Sequence, residues 1–215
     1  MSQLGNRLGA IFDWVKGGTV ADIGTDHALL PVALVQSGKC TGGYACDIKK
    51  GPLESAGRTI AAADLSDKIE RVLCDGIPAV CADCDTIVIA GMGGLMIADI
   101  ISRSDISLHT QLLLQPMTKA AHLRRYLVEN GFTIERETYV REGKMIYVIL
   151  DVRRGQSVPY SEGDIEVGMF TDSVVGREYV QRRLDRLRMR RENESQAGRD
   201  TSGLEKRIRE LEKRV

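Results

Sequence analysis

Thr19-Val20-Ala21-Asp22-Ile23-Gly24-Thr25-Asp26-His27-Ala28-Leu29-Leu30-Pro31 is the stretch whose reading decides the fold. Val20, Ala21 and Ile23 make a short apolar run with β-branched members, the pattern of a strand buried on both faces. Gly24 ends the run, and the apolar segment from Ala28 to Val35 reads as a helix. Strand, glycine turn and helix N-terminus in that order form the ligand-binding corner of a doubly wound α/β sheet.

The charges in the turn bear on which ligand. A dinucleotide fingerprint, Gly-x-Gly-x-x-Gly, lays a pyrophosphate against bare backbone N–H groups. Here Asp26 holds the second glycine's position and Asp22 closes the strand just before. At roughly 5 Å and an effective dielectric near 20, one charge pair is worth about 3 kcal/mol. Two such acids repel a diphosphate and attract a cation. S-adenosylmethionine, with a sulfonium, an ammonium and no phosphate, suits them. The alternative for Asp26 is a cap on the following helix, which leaves Asp22 unexplained.

The bulk composition sets the frame. The chain has 215 residues, 43% hydrophobic and 28% charged, enough apolar mass for one full α/β domain and an appendage. Lys plus Arg equals Asp plus Glu at 30 each, so nucleic-acid binding has to use local patches. No export signal or membrane-spanning run is visible, and five cysteines, an odd number, read as reduced thiols of a cytoplasmic protein. Cys81 and Cys84 have metal-like spacing, but no second pair completes a zinc site.

Leu4, Leu8, Ile11 and Val15 recur at helical spacing before Gly17-Gly18. Gly42 to Asp47 reads as the second strand, with Asp47 lying 25 positions after Asp22. That is near the offset at which an acid meets ribose hydroxyls, although a helix-capping Asp looks the same. A helix from about Pro52 to Ala63 leads to a third strand, Ile69 to Cys74, ending in Asp75-Gly76. A fourth, Asp85 to Ala90, runs into the turn Gly91-Met92-Gly93-Gly94 and a helix from Leu95 to Ile101. Leu112 to Leu114 is a fifth strand, ending in Gln115-Pro116-Met117. A helix bearing Lys119, His122, Arg124 and Arg125 follows. Phe132 to Tyr139 and Met145 to Val152 flank Glu142-Gly143-Lys144 as an antiparallel hairpin. Asp22, Asp47, Asp75 and Gly91 then open on one crevice at the strands' C-terminal ends.

Past Gly155 the composition changes, dividing the chain into residues 1–155 and 156–215. Gln156 to Asp164 reads as a polar linker. Val180, Leu184 and Leu187, and then Leu204, Ile208, Leu211 and Val215, step as two helices of an antiparallel coiled-coil hairpin. Between Gly176 and Arg191 stand seven arginines against two acids. A solvated face is the ordinary reading, whereas arginine without lysine suits phosphate.

These residues resemble one family. Ala21-Asp22-Ile23-Gly24-Thr25-Asp26-His27-Ala28, Gly51-Pro52, Asp75-Gly76, Ile89-Ala90-Gly91-Met92-Gly93-Gly94 and Leu114-Gln115-Pro116 are similar to the bacterial tRNA (adenine-22-N1)-methyltransferases, the TrmK family. The likeness runs from about Arg7 to Val152. It implies a class I methyltransferase (Rossmann-like) sheet, S-adenosylmethionine as donor, tRNA as substrate and a C-terminal helical hairpin. Two positions depart from the family: Met117 stands where Asn is usual, and Ile146-Tyr147 where Tyr-Glu is usual.

The chemistry agrees with a ring-nitrogen target. Methyltransferases acting on exocyclic amines carry side-chain acceptors in the turn after the fourth strand, and Ala90-Gly91-Met92-Gly93 has none. Adenine N1 already bears an in-plane lone pair. On this reading Asp26 stabilises the positive charge arriving on the base, and His27 orients Asp26 or touches the base. Asp22, Gly24, Asp26, Asp47, Asp75, Gly76, Gly91, Met92 and Gly93 hold the donor. Arg7, Lys119, Arg124, Arg125, Arg182, Arg183 and Arg186 hold the RNA backbone. The rival readings are methylation of another RNA position or a small molecule, a nonenzymatic nucleoside-binding module, and a dehydrogenase.

Overall fold

The computed structural model describes residues 4–169 and 171–214. Seven strands form one sheet in the order β3-β2-β1-β4-β5-β7-β6. β1 (Gly18–Ile23), β2 (Cys40–Asp47), β3 (Ile69–Leu73), β4 (Thr86–Gly93) and β5 (Gln111–Thr118) run parallel. The hairpin of β6 (Phe132–Glu142) and β7 (Met145–Arg154) inserts β7 antiparallel beside β5 and leaves β6 at the edge.

Both faces of the parallel strands are covered, which explains their unbroken apolar runs. Ile87, Ile89, Leu112 and Leu114 point to a core shared with α4 (Gly94–Ser102) and α5 (Ala120–Glu129). Their neighbours Val88 and Leu113 point to the opposite core. There they join Val20 and residues of α1 (Asn6–Trp14), α2 (Leu29–Gln36) and α3 (Lys50–Ala62). Order reverses between β1 and β4, so a crevice opens where their C-terminal ends diverge.

Two expectations shift. The segment Gly91-Met92-Gly93, read as a turn, continues β4, with the ladder to β5 breaking register between Ala90 and Met92. The polar stretch before Asp164 is not all linker: Ser161 and Asp164 form a reciprocal capping box that starts α6 (Glu162–Val167). Beyond it, α7 (Val174–Gln196) and α8 (Ser202–Glu212) fold back on one another. Val180, Leu184 and Leu187 pack against Leu204, Ile208 and Leu211; Val215 lies outside the described residues.

Arg124 fastens this helical unit to the sheet, correcting its reading as an RNA contact. It is 0% exposed. Its Nε donates to Glu137 Oε2 at 2.9 Å, and its Nη1 reaches the carbonyls of Ile165 and Glu166, each at 3.4 Å. The Tyr139 hydroxyl lies between Glu137 Oε1 and the Val167 carbonyl, with its one proton shared between the two acceptors. A guanidinium thus answers the open carbonyls at the end of α6. Its Nη2 has no hydrogen-bond partner among the described residues, but it is sealed from solvent with the rest of the side chain and out of reach of RNA.

Candidate active site

The crevice is built from strand ends. Asp22 is the penultimate residue of β1, and the Gly24 and Thr25 N–H groups donate to Cys46 O at 2.8 and 2.9 Å, turning the chain beside β2. Gly24 has φ +78, and an added Cβ would sit 2.0 Å from Met92 Cε. The left-handed backbone favours glycine there, while the space is limited only by the movable end of the Met92 side chain. The Ala28 N–H donates to Thr25 Oγ1 at 3.1 Å, which shapes the turn; no side chain, Asp26 included, caps α2 through a hydrogen bond.

Asp26 is free of that duty. Its side chain is 78% exposed, with His27 Nε2 3.4 Å from Oδ2. The two sit together at the mouth, where solvent screens them. Asp22 lies deeper. Burial pushes its carboxyl up to about 6, against the pull of the Thr25 hydroxyl and the Arg7 guanidinium, while the Asp47 carboxylate adds a further upward push. An acid held near neutrality by burial is one that a bound cation would relieve.

Asp47 ends β2, and its Oδ1 accepts the Lys49 N–H at 2.7 Å, leaving Oδ2 open. That bond closes a turn ahead of α3, whose start has no side-chain cap, so Asp47 is not serving as a helix cap. Asp75 follows β3 and is held by Arg103 Nη2 at 3.3 Å; Gly76 beside it has φ +87. Gly91, with φ +81, Met92 and Gly93 line the β4 side.

Arg7 is only partly exposed, its side chain retaining 24% of its accessible surface. It reaches from α1 into the crevice, where Nη1 donates to Gln115 Oε1 at 2.7 Å. Gln115 itself is 0% exposed. Sequence reasoning passed over it as a functional group. The available signal was a lone amide ending the apolar run Leu112-Leu113-Leu114, since a buried amide needs partners.

A second depression adjoins the crevice, a cleft of about 480 Å³ between the end of β5, the start of β7 and α7. Met117, Met145, Ile146 and Tyr179 contribute apolar surface; Lys119, Arg182, Arg183 and Arg186 contribute charge. Thr118 pairs with Gly93 across the β4–β5 ladder, so cleft and crevice share a wall.

The basic residues are not equally available. Arg183 is drawn to buried Glu166, and Arg182 pairs with Glu178 at 2.7 Å and donates to Lys144 O. Arg125, away from the cleft, is tied to Glu162 at 2.7 Å. Arg186 and Lys119 have no ion pair among the described residues.

A sheet of this order, with acids at the ends of β1 and β2 and just past β3, defines a class I methyltransferase domain. Residues 4–150 match the family model described as a methyltransferase domain. The chain is 31% identical to the Bacillus subtilis tRNA (adenine(22)-N(1))-methyltransferase over 82% of its length and 76% of that protein's. The crystal structure of B. subtilis TrmK superposes with a TM-score of 0.85 at 29% identity, covering 100% of this chain and 96% of that one. The Streptococcus pneumoniae Sp1610 protein, solved in complex with S-adenosyl-L-methionine, gives 0.85 at 29%, covering 98% and 99%. The chain belongs to the TrmK family of tRNA (adenine-22-N1)-methyltransferases.

Proposed function

We propose that this protein transfers the methyl group of S-adenosylmethionine to N1 of adenine 22 in tRNA. The supporting observation is the shared wall: an acid-lined crevice on one side of Gly93 and Thr118, and a cleft with apolar and arginine faces on the other. The first suits a cation and the second a nucleotide.

The residues present fit the donor. Asp22 faces its positive end, the open oxygen of Asp47 takes ribose hydroxyls, and Asp75 with Gly76 borders the adenine. Gly24, Gly91, Met92 and Gly93 bring backbone close. When bound, the donor supplies an electrophilic methyl group on a sulfonium. The C–N bond to N1 forms as the C–S bond breaks, and positive charge passes to the adenine ring. No proton must leave N1 first, which matches a β4 segment without a side-chain acceptor. Asp26 stabilises the charge arriving on the base, and His27, beside it, orients Asp26 or contacts the base. Alignment supplies most of the remaining acceleration.

N1 lies on the pairing edge, so the base enters unpaired or flipped out. Met117, Met145 and Ile146 give it an apolar bed, while Lys119, Arg182, Arg183 and Arg186 take the flanking backbone. The unit 1–155 binds the donor and 156–215 contributes the RNA-facing helices. A cytoplasmic location accords with the five free cysteines; among the described residues no helix is long and apolar enough to cross a membrane.

The test is to incubate tRNA transcripts, with and without adenine at position 22, with enzyme and labelled donor and to map the methylated nucleotide. Label at N1 of residue 22 is expected. Equal labelling of both transcripts, or none of either, would overturn the reading.

A further inference from the structure

The β4–β5 ladder breaks where the methyl group has to be presented. Ala90 pairs with Gln115 and Met92 with Pro116, and Gly91 falls between them. Gly91 stands at φ +81, outside regular strand geometry, and takes no partner in the β5 register, so the ladder supplies no carbonyl for it. Its N–H would be orphaned. Instead it donates to the Gln115 side chain, Oε1, at 3.1 Å.

The same oxygen accepts Arg7 Nη1 at 2.7 Å. Two donors on one oxygen fix which way the amide faces, since a flipped carboxamide would point N–H groups at N–H groups. The Nε2 group accordingly turns to Met117, 3.6 Å from its sulfur. Arg7 is held in turn. Its own backbone N–H donates to Glu142 Oε2 at 3.3 Å, and its guanidinium lies 5.8 Å from the Tyr147 ring centroid. Asn6 Nδ2 donates to Arg141 O at 2.9 Å, tying the start of α1 to the β6–β7 hairpin.

We propose that Arg7 and Gln115 are positioning residues: α1 acts through the Gln115 carboxamide to hold the Gly91 backbone in the left-handed geometry that shapes the methyl-transfer wall. This rests on the methyltransferase reading for its consequence in turnover, but the clamp itself is a property of the protein alone. Arg7 is then part of the catalytic scaffold and not an RNA contact.

Two measurements separate the clamp from the activity. Hydrogen exchange at the Gly91 amide, in the full chain without RNA, is expected to be protected, to accelerate at least about tenfold in Gln115→Leu, and to be restored in Gln115→Glu, which keeps the acceptor. Unchanged exchange in Gln115→Leu overturns the clamp whether or not the protein methylates RNA. In turnover, Arg7→Met and Gln115→Leu should each lower kcat roughly tenfold to a hundredfold with the KM for tRNA little changed, and the double variant should be no worse than the worse single. If Arg7→Met instead raises the tRNA KM, reduces the salt dependence by about one ion and leaves kcat intact, Arg7 is an RNA contact and the proposal fails. Absence of methyl transfer by the wild-type protein overturns the functional reading and leaves the exchange result to decide the clamp.

Discussion

Asp22 makes donor affinity depend on pH in a way that can be worked in advance. Burial raises its carboxyl to about 6, with the Thr25 hydroxyl and Arg7 opposing and Asp47 reinforcing. A cationic donor needs the ionised form. At pH 7.5 nearly all of the free protein carries the carboxylate; at pH 5 about one molecule in eleven does. The dissociation constant should therefore rise about tenfold between those values. Asp22→Asn should flatten that limb and bind at pH 7.5 no better than the wild type at pH 5. The sign of the stability effect is opposite. Because the folded value lies above the ordinary 3.8, ionisation works against the fold as pH rises through about 6, and the difference is about 3 kcal/mol. Asp22→Asn should thus raise the melting temperature of the free protein at pH 7.5, and the gain should fade below pH 4. Calorimetric titration with S-adenosylmethionine, alongside thermal melts of both proteins, reads all of this. Equal, pH-independent affinities would refute the assignment of Asp22 to the donor's positive end.

Three further outcomes follow from the site and its supports. Asp26→Ala should lower turnover about tenfold with donor affinity retained, a modest loss because the side chain is 78% exposed; full turnover would remove it from the chemistry. Arg186→Ala should weaken tRNA binding and reduce the slope of log K against log salt by about one, read by filter binding across salt concentrations; an unchanged slope would return Arg186 to solvent. Arg124→Met strands Glu137 in the core and should cost about 3–5 kcal/mol in urea unfolding, with no separate effect on the salt slope.

Much of the fold was legible because the parallel strands are written as plain apolar runs. Val20 to Ile23 and Ile87 to Ala90 announce strands, and Gly24 announces the turn, without any tertiary information. The glycines after Ala90 misled for a physical reason. Gly91 does leave strand geometry, but a side-chain acceptor on β5 carries the ladder across the break. That acceptor is a single Gln, and no periodicity marks its orientation. The basic residues show the same limit more sharply. Arg124 and Arg125 are neighbours in sequence, yet one is sealed against Glu137 and the other sits half-exposed beside Glu162. Helical phase alone leaves α5 without a stated inner face until β6 and α6 are placed against it. On α7 the excess of arginine is real, but Glu166, Glu178, Glu194 and Glu212 absorb much of it. Three of those four acids lie outside the basic window from Gly176 to Arg191, and Glu166 and Glu212 lie outside the helix altogether.

The guanidinium sealed beneath α6 also says where the molecule can be cut. Composition puts the seam near Gly155, and severing the chain there would yield a piece whose Arg124, Glu137 and Tyr139 had lost the carbonyls of residues 165–167. An isolated N-terminal fragment would carry an ion pair suddenly open to water at what had been its driest joint. The change of composition near Gly155 therefore marks a seam in the chain but not a gap in its contacts.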